Sequence, residues 1–187
     1  MSKKNLNVNL KNGFKNYQDL SNTFLKFKNK LDFFKKKKFL VAVSGGPDSL
    51  ALSALCKAYT FTKKTKFYYL LVDHGIRKNS YQEALKVKKL LKKECISLKI
   101  CVNKKKILKN IQAEARNLRY NILSKYCEKN KIKFILTAHN LEDQVETFFI
   151  RLSRGSGLKG LSSMSPLRKI NNSVSIYRPL LDIKKNY

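Results

Sequence analysis

The chain has 187 residues, 43% of them apolar, enough for one sizeable core and typical of a globular protein. Its 41 basic and 12 acidic side chains leave a formal charge of +29, which points to a polyanionic partner such as nucleic acid. No apolar run nears the ~20 residues that span a bilayer, the first residues lack a secretory apolar core, and Cys56, Cys95, Cys101 and Cys127 form no CxxC pair. Membrane and secretory classes are set aside; a cytoplasmic protein with reduced thiols is expected, with an organellar matrix and a homodimer left open.

Residues 1–12 read as a polar tail. Phe14, Tyr17, Leu20, Phe24, Phe27, Leu31 and Phe34 then recur at three- and four-residue steps, the stripe of an amphipathic helix that covers part of a sheet. Lys35 to Lys38 lead into the apolar run Phe39-Leu40-Val41-Ala42-Val43, a buried strand. Ser44-Gly45-Gly46-Pro47 breaks that strand, and Asp48-Ser49 opens a helix to about Tyr59 with apolar positions Leu50, Leu52 and Ala54. A second strand over 66–72 ends at Asp73-His74-Gly75. Ser80-Tyr81-Gln82-Glu83 has the pattern of a capping box, so a helix is expected from Tyr81 to Lys93.

A third strand is expected over 96–102, then a lysine run at 104–106. A helix follows over 110–128 with Ile111, Ala115, Leu118, Ile122 and Tyr126 inward. A fourth strand over 133–138 ends at His139. The helix 141–153 is expected to bury Leu141, Val145, Phe148 and Leu152, with Gly155 at its C-terminal cap. A glycine- and serine-rich loop at 154–165 and a short strand at 174–178 complete the series. Strands alternating with helices predict an α/β fold, a doubly wound parallel sheet with flanking helices.

The turn at 44–49 is the most specific local signal. A strand that ends in a Gly-Gly turn and feeds a helix builds an anion site from outward-pointing amides and the helix N-terminus. Glycine tolerates φ > 0 and leaves room for a phosphate. The loop lacks the Lys-Ser/Thr ending of the Walker type. Ligands of open parallel sheets lie beyond the carboxyl ends of the strands, where Ser44 to Ser49, Asp73, His74 and His139 all fall.

Rare residues are informative in a chain this rich in lysine. Only seven of the 41 basic residues are arginine, all from Arg77 onward, and a guanidinium fork is not replaceable by lysine at a phosphate or carboxylate. Arg116 and Arg119 are three apart on one helix; one can reach a phosphate while the other pairs with Glu114 or another acid. Asp143 and Glu146 also share a helix face. Their carboxylates suit Mg2+ beside a triphosphate, a cationic substrate, or the helix N-terminus. Arg151 and Arg154 complement the end of that helix or contact RNA phosphates, as can Lys159 in the loop beyond.

SGGPDS resembles the pyrophosphate loop of ATP pyrophosphatases. The segments VAVSGGPDSLAL, VDHGIRKNS, AEARNLRY, LTAHNLEDQVET, RLSRGSGLKGLSSM and RPLL together, over roughly residues 39–181, resemble the tRNA(Ile)-lysidine synthetase family. One departure stands at Asn140 and Glu142-Asp143, where the family often has a second His and two Asp; Asp143 is the firmer counterpart. The resemblance implies an adenine nucleotide alpha-hydrolase-like fold, with a tail and helix over 1–37 and an ATP-binding PP-loop catalytic domain over 38–187. It also implies further tRNA-binding parts beyond Tyr187.

The implied activity is ligation of free L-lysine to C2 of the wobble cytidine of a tRNA(Ile) precursor with a CAU anticodon, through an adenylated cytidine, using ATP and Mg2+. ATP would meet Ser44, Gly45, Gly46, Pro47, Asp48, Ser49, Asp73, His74 and His139. Asp48, Arg116, Asp143 and Glu146 would be catalytic, Asp48 and Asp143 would hold the metal, and Arg151, Arg154 and Lys159 would touch RNA. Two other readings are a tRNA thiolase of the same ATP class and a non-catalytic basic RNA-binding protein. Thiolases that use cysteine clusters usually show CxxC pairs, and a plain RNA binder does not need the acids.

Overall fold

A computed structural model of the chain describes residues 18–35, 38–103, 110–157, 161–162 and 164–185. Phe14, Tyr17, the lysine run at 104–106 and Lys159 therefore lie outside the described residues. The elements in order are α1 (Gln18–Phe33), β1 (Lys38–Val43), α2 (Pro47–Tyr59), β2 (Lys66–Asp73), α3 (Ser80–Lys93), β3 (Leu98–Val102), α4 (Ile111–Lys129), β4 (Phe134–Leu136), α5 (Leu141–Ser153), β5 (Leu167–Lys169) and β6 (Ser175–Tyr177).

The strands form one sheet in the order β3-β2-β1-β4-β6-β5. All pairings are parallel except β5 with β6, a short antiparallel edge that the sequence pattern does not announce. From β1 the chain steps outward to β2 and β3, then crosses back to set β4 on the other flank of β1. The order therefore reverses between β1 and β4, and an open parallel sheet leaves its crevice at such a point.

Successive residues of each strand face opposite sides, so the sheet divides the core in two. Phe39, Val41 and Val43 join Phe27, Leu31, Leu52, Leu55 and Leu71 on the side covered by α1 to α3. Leu40, Leu70, Ile135 and Val174 join Leu123 and Cys127 of α4 on the other. Strands apolar on both faces are what a doubly covered parallel sheet requires. The α1 stripe packs as expected through Phe27 and Leu31, and Phe24 and Phe34 lean on the same cluster. Of the apolar positions of α2, Leu52 is buried, Leu50 half-buried and Ala54 exposed, and Leu55, Cys56 and Tyr59 complete its buried face.

Several boundaries differ from the sequence expectation. Cys95 takes φ +55, and Ile96 N–H donates to Leu91 O at 2.9 Å, so residues 96–97 close α3 and β3 begins at Leu98. The fourth strand is only Phe134–Leu136. The capping box at Ser80 does not form: Asn79 is the N-cap of α3, and Glu83 instead pairs with Arg77 Nη2 at 2.7 Å. In α4 the inward residues are Ala115, Leu123, Ser124 and Cys127, while Ile111 is exposed and Leu118, Ile122 and Tyr126 are half-buried.

The largest difference is α5. None of its residues is buried, and Leu141, Val145, Phe148, Phe149 and Leu152 are all exposed. The helical spacing was legible; whether another element covers the stripe is a tertiary fact that periodicity does not contain. Gly155 does close α5 as expected. It adopts φ +66, its N–H donates to Leu152 O, and Ser156 N–H donates to Arg151 O.

Candidate active site

The 44–49 turn is held from inside by one hydroxyl. Ser49 Oγ accepts the amides of Ser44 (3.2 Å) and Gly45 (3.1 Å) and donates to Gly46 O at 2.8 Å. These two amides thus turn inward, where the sequence reading has them pointing outward. Gly45 has φ +91, and a Cβ there would come within 2.9 Å of Val87 Cγ2 on α3, so only glycine fits. Pro47 is the first residue of α2, at a position whose N–H would have no helical partner.

A cavity of about 790 Å3 opens beyond β1, β2 and β4. Ser44, Gly45, Gly46, Asp48, Ser49, Asp73, His74, Arg116, His139 and Asp143 all line it. Pro47 does not, although it holds the start of the helix. Glu146 is not on this wall either. It lines a second cavity of about 600 Å3 that shares Arg116, His139 and Asp143 with the first. Arg151 also lines the second cavity and donates to Ser162 O. Arg154 is the exposed C-cap of α5 and lines neither.

Each polar strand end has a visible anchor. The buried Asp73 carboxylate accepts Gly75 N–H at 3.0 Å, and its carbonyl accepts Asn103 N–H at 2.7 Å, which fixes the turn after β2. Arg119 Nε donates to His74 Nε2 at 3.3 Å, so its partner is an imidazole and not Glu114 or another acid. Arg116 lies over the Tyr120 ring at 5.2 Å. His139 Nδ1 meets Thr137 Oγ1 at 2.9 Å. Burial lowers the pKa of both histidines, and nearby cations add to it: Arg119 at His74 and Arg178 at His139. Both rings are thereby biased toward neutral imidazole.

Asn140 and Asp143 form a reciprocal cap on α5. Asn140 Oδ1 accepts Asp143 N–H at 3.1 Å, and Asp143 Oδ2 accepts Asn140 N–H at 2.9 Å. The cap that starts the helix therefore also aims the carboxylate that lines both cavities. Glu142 faces elsewhere: its two oxygens accept Lys185 N–H at 3.1 and 3.2 Å. That contact, with Leu141 N–H on Ile183 O, ties the segment after β6 to α5. Lys185 Nζ then reaches Asp48 Oδ2 at 3.0 Å.

Three site residues escape the sequence reading. Lys185 carries no signal, being one lysine among many. Arg168 and Arg178 line the second cavity, and the scarcity of arginine was the signal that could have found them.

The family model for a PP-loop domain matches residues 16–187. The chain belongs to the PP-loop family. Among curated relatives, it is 40% identical over 158 residues to a tRNA(Ile)-lysidine synthase of Wolbachia pipientis wMel, covering 82% of this chain and 36% of the relative. It is 42% identical to that of Orientia tsutsugamushi, covering 82% and 34%. With the chloroplastic tRNA(Ile)-lysidine synthase of Gracilaria tenuistipitata it shares 37% identity, covering 89% and 52%. This PP-loop domain thus spans about a third to a half of the length of these relatives.

A solved U34-tRNA thiolase NcsA from Methanococcus maripaludis, described with its [4Fe-4S] cluster, superimposes with a TM-score of 0.72 at 22% identity, over 89% of this chain and 61% of that one. FMN adenylyltransferase from Candida glabrata, in complex with FMN and an ATP analogue, gives 0.56 at 16%, over 95% and 61%. These likenesses carry the fold. In the present chain Cys56 sits in one core layer and Cys127 in the other, on opposite faces of the sheet. Burial raises both thiols, Cys127 to about 12.

Proposed function

We propose that this PP-loop domain is the catalytic part of a cytoplasmic ligase that joins free L-lysine to C2 of the wobble cytidine of tRNA(Ile) with a CAU anticodon. The observation that carries the reading is the identity of 37–42% with the relatives quoted above, in a chain whose matched motifs converge on one crevice at the β1/β4 reversal. The +29 charge supports an RNA substrate.

In the first step the cytidine O2 attacks the α-phosphorus of ATP, and pyrophosphate leaves. The 44–49 loop and the start of α2 hold the phosphates, and Arg116 opposes charge that develops on the transferring group. In the second step an amine of lysine attacks C2. The C2–O bond to AMP breaks, and the amine loses a proton. Asp143 and Glu146 face the cavity from which that amine arrives, and neutral His139 is able to accept the proton. The cytidine must be splayed out of its loop for C2 to be reached.

Asp48 and Asp143 both line the larger cavity, and carboxylate oxygens are the ligands Mg2+ uses beside substrate phosphates. Bound there, Mg2+ would neutralise charge on the phosphates. Lys185, now paired with Asp48, is the cation such an ion would displace or join. A thiolase reading that needs a cysteine-held cluster is opposed by the separation of Cys56 and Cys127 across the sheet.

The test is incubation of the full-length protein with ATP, Mg2+, labelled lysine and tRNAs that differ at the anticodon. Label entering only the CAU tRNA, one AMP released per lysine, is the expected result. Sulfur transfer, or RNA binding with no ATP turnover, would sink the reading.

A further inference from the structure

The second cavity is an arginine chamber in a lysine-rich protein. Four of the seven arginines, Arg116, Arg151, Arg168 and Arg178, line it, and no lysine does among the described residues. Arg178 is the deepest. At the end of β6 it is only 4% exposed, its Nη1 donates to Ser165 O at 2.7 Å, and its Nε is buried with no partner among the described residues. No carboxylate pairs with it among the described residues. Besides burial, the fields of Arg116 and Arg168 press its pKa down. A buried guanidinium crowded by other cations and left one donor short is costly unless an anion joins it.

The nature of the anion follows from the acids of the chamber. Asp143 and Glu146 line it together with the arginines, so its occupant meets both cations and carboxylates. An RNA phosphodiester brings only negative charge and would be repelled by those carboxylates. A free diamino acid brings both signs: a carboxylate for the guanidinium fork and ammonium groups for the acids. The chamber shares Arg116, His139 and Asp143 with the larger cavity, so an amine of this ligand would lie beside the nucleotide.

We propose that Arg178, with Arg168 beside it, binds the α-carboxylate of the free amino acid and so makes the enzyme select an amino acid over a simple diamine. The inference rests on the ligase reading above and adds the group that recognises the acid end of the substrate. Arg178 acts on binding and selection; it takes no part in the bond changes.

The experiment compares L-lysine, L-lysinamide and 1,5-diaminopentane as amines for the full-length wild-type protein with ATP and CAU tRNA. A charge-assisted bidentate contact contributes roughly 3 kcal/mol or less, so lysine is expected to exceed both analogues in kcat/KM by about 100-fold. The same ratio is then taken for Arg178→Lys and, as a variant at an exposed position that spares the core, Arg168→Ala. Both amines meet the same adenylated RNA, so losses in the first step cancel in the ratio. The proposal expects that ratio to fall below about tenfold in Arg178→Lys and by a smaller factor in Arg168→Ala.

Wild-type protein that uses lysinamide as well as lysine would overturn the carboxylate site while leaving the ligase reading intact. Unchanged amine ratios with weakened, less salt-dependent tRNA binding would assign the chamber to RNA phosphate and overturn it equally. Wild-type protein that makes no lysidine at all would remove the ligase reading and this inference together.

Discussion

Gly45 and Ser49 show how little chemistry it takes to shape the 44–49 turn. One residue supplies a backbone angle, φ +91, and the other an oxygen that gathers two amides. Gly45→Ala is therefore expected to lose roughly 1–3 kcal/mol from the strained angle alone, with the approach to Val87 Cγ2 adding to it. Urea unfolding checks this, and Val87→Ala in the same chain should recover only the steric part. Full recovery would mean that φ at this position is not strained. The need for glycine was readable from the motif. The inward turn of the amides was not, because it depends on where the Ser49 hydroxyl lies in three dimensions.

The histidines add a pH dependence. His74 and His139 are both held below the ordinary imidazole value, first by burial and then by neighbouring arginines. Near pH 6.5 the unfolded chain thus binds more protons than the folded one, so stability falls as pH drops through that value toward the folded-state pKa values. Urea midpoints at pH 7.5 and 5.5 should show the loss, and His139→Gln should reduce it. A midpoint that rises on acidification over this range would contradict the sign.

Among the elements, α5 does the most with the least packing. Its stripe of Leu141, Val145, Phe148 and Leu152 is exposed, yet its first turn is tightly made by the Asn140–Asp143 cap, and Glu142 ties it to Lys185. Asn140→Ala is expected to cost about 1 kcal/mol of stability. Because the cap also aims Asp143, kcat/KM for ATP should fall by about tenfold or more, beyond what the stability loss explains. Steady-state kinetics well below the unfolding midpoint separates the two effects, and a loss in stability alone would show that Asp143 is not positioned by the cap.

Elements were readable where the signal is local and obscure where it is not. The βα alternation and the Gly155 stop were plain. The ends of α3 and α4 fell within a residue of expectation, but their means did not show: each uses a non-glycine residue at positive φ, Cys95 and Lys131, held by the amide that follows, Ile96 to Leu91 O and Ile132 to Cys127 O. The Ser80 capping box failed for a comparable reason. Arg77 lies close enough to claim Glu83, and nothing in the four-residue pattern records that competitor.

For the whole molecule, the parallel sheet and its crevice follow from the order of strands and helices, and the reversal between β1 and β4 sets the place of the crevice. The edge pairing of β5 with β6 was not legible, since three exposed residues, Leu167, Arg168 and Lys169, carry no strand pattern. Yet that edge brings Arg168 to the chamber that Arg178 also lines. Among the described residues no helix is long and apolar enough to cross a membrane.

The central claim is that ATP activates the cytidine through its own C2 oxygen. It is tested most directly with CAU tRNA carrying 18O at C2 of the wobble cytidine, incubated with full-length protein, ATP, Mg2+ and lysine. If O2 attacks the α-phosphorus and the C2–O bond then breaks, one 18O must appear in the phosphate of AMP for each lysine joined. AMP without the label, formed while lysine is incorporated, would contradict the account.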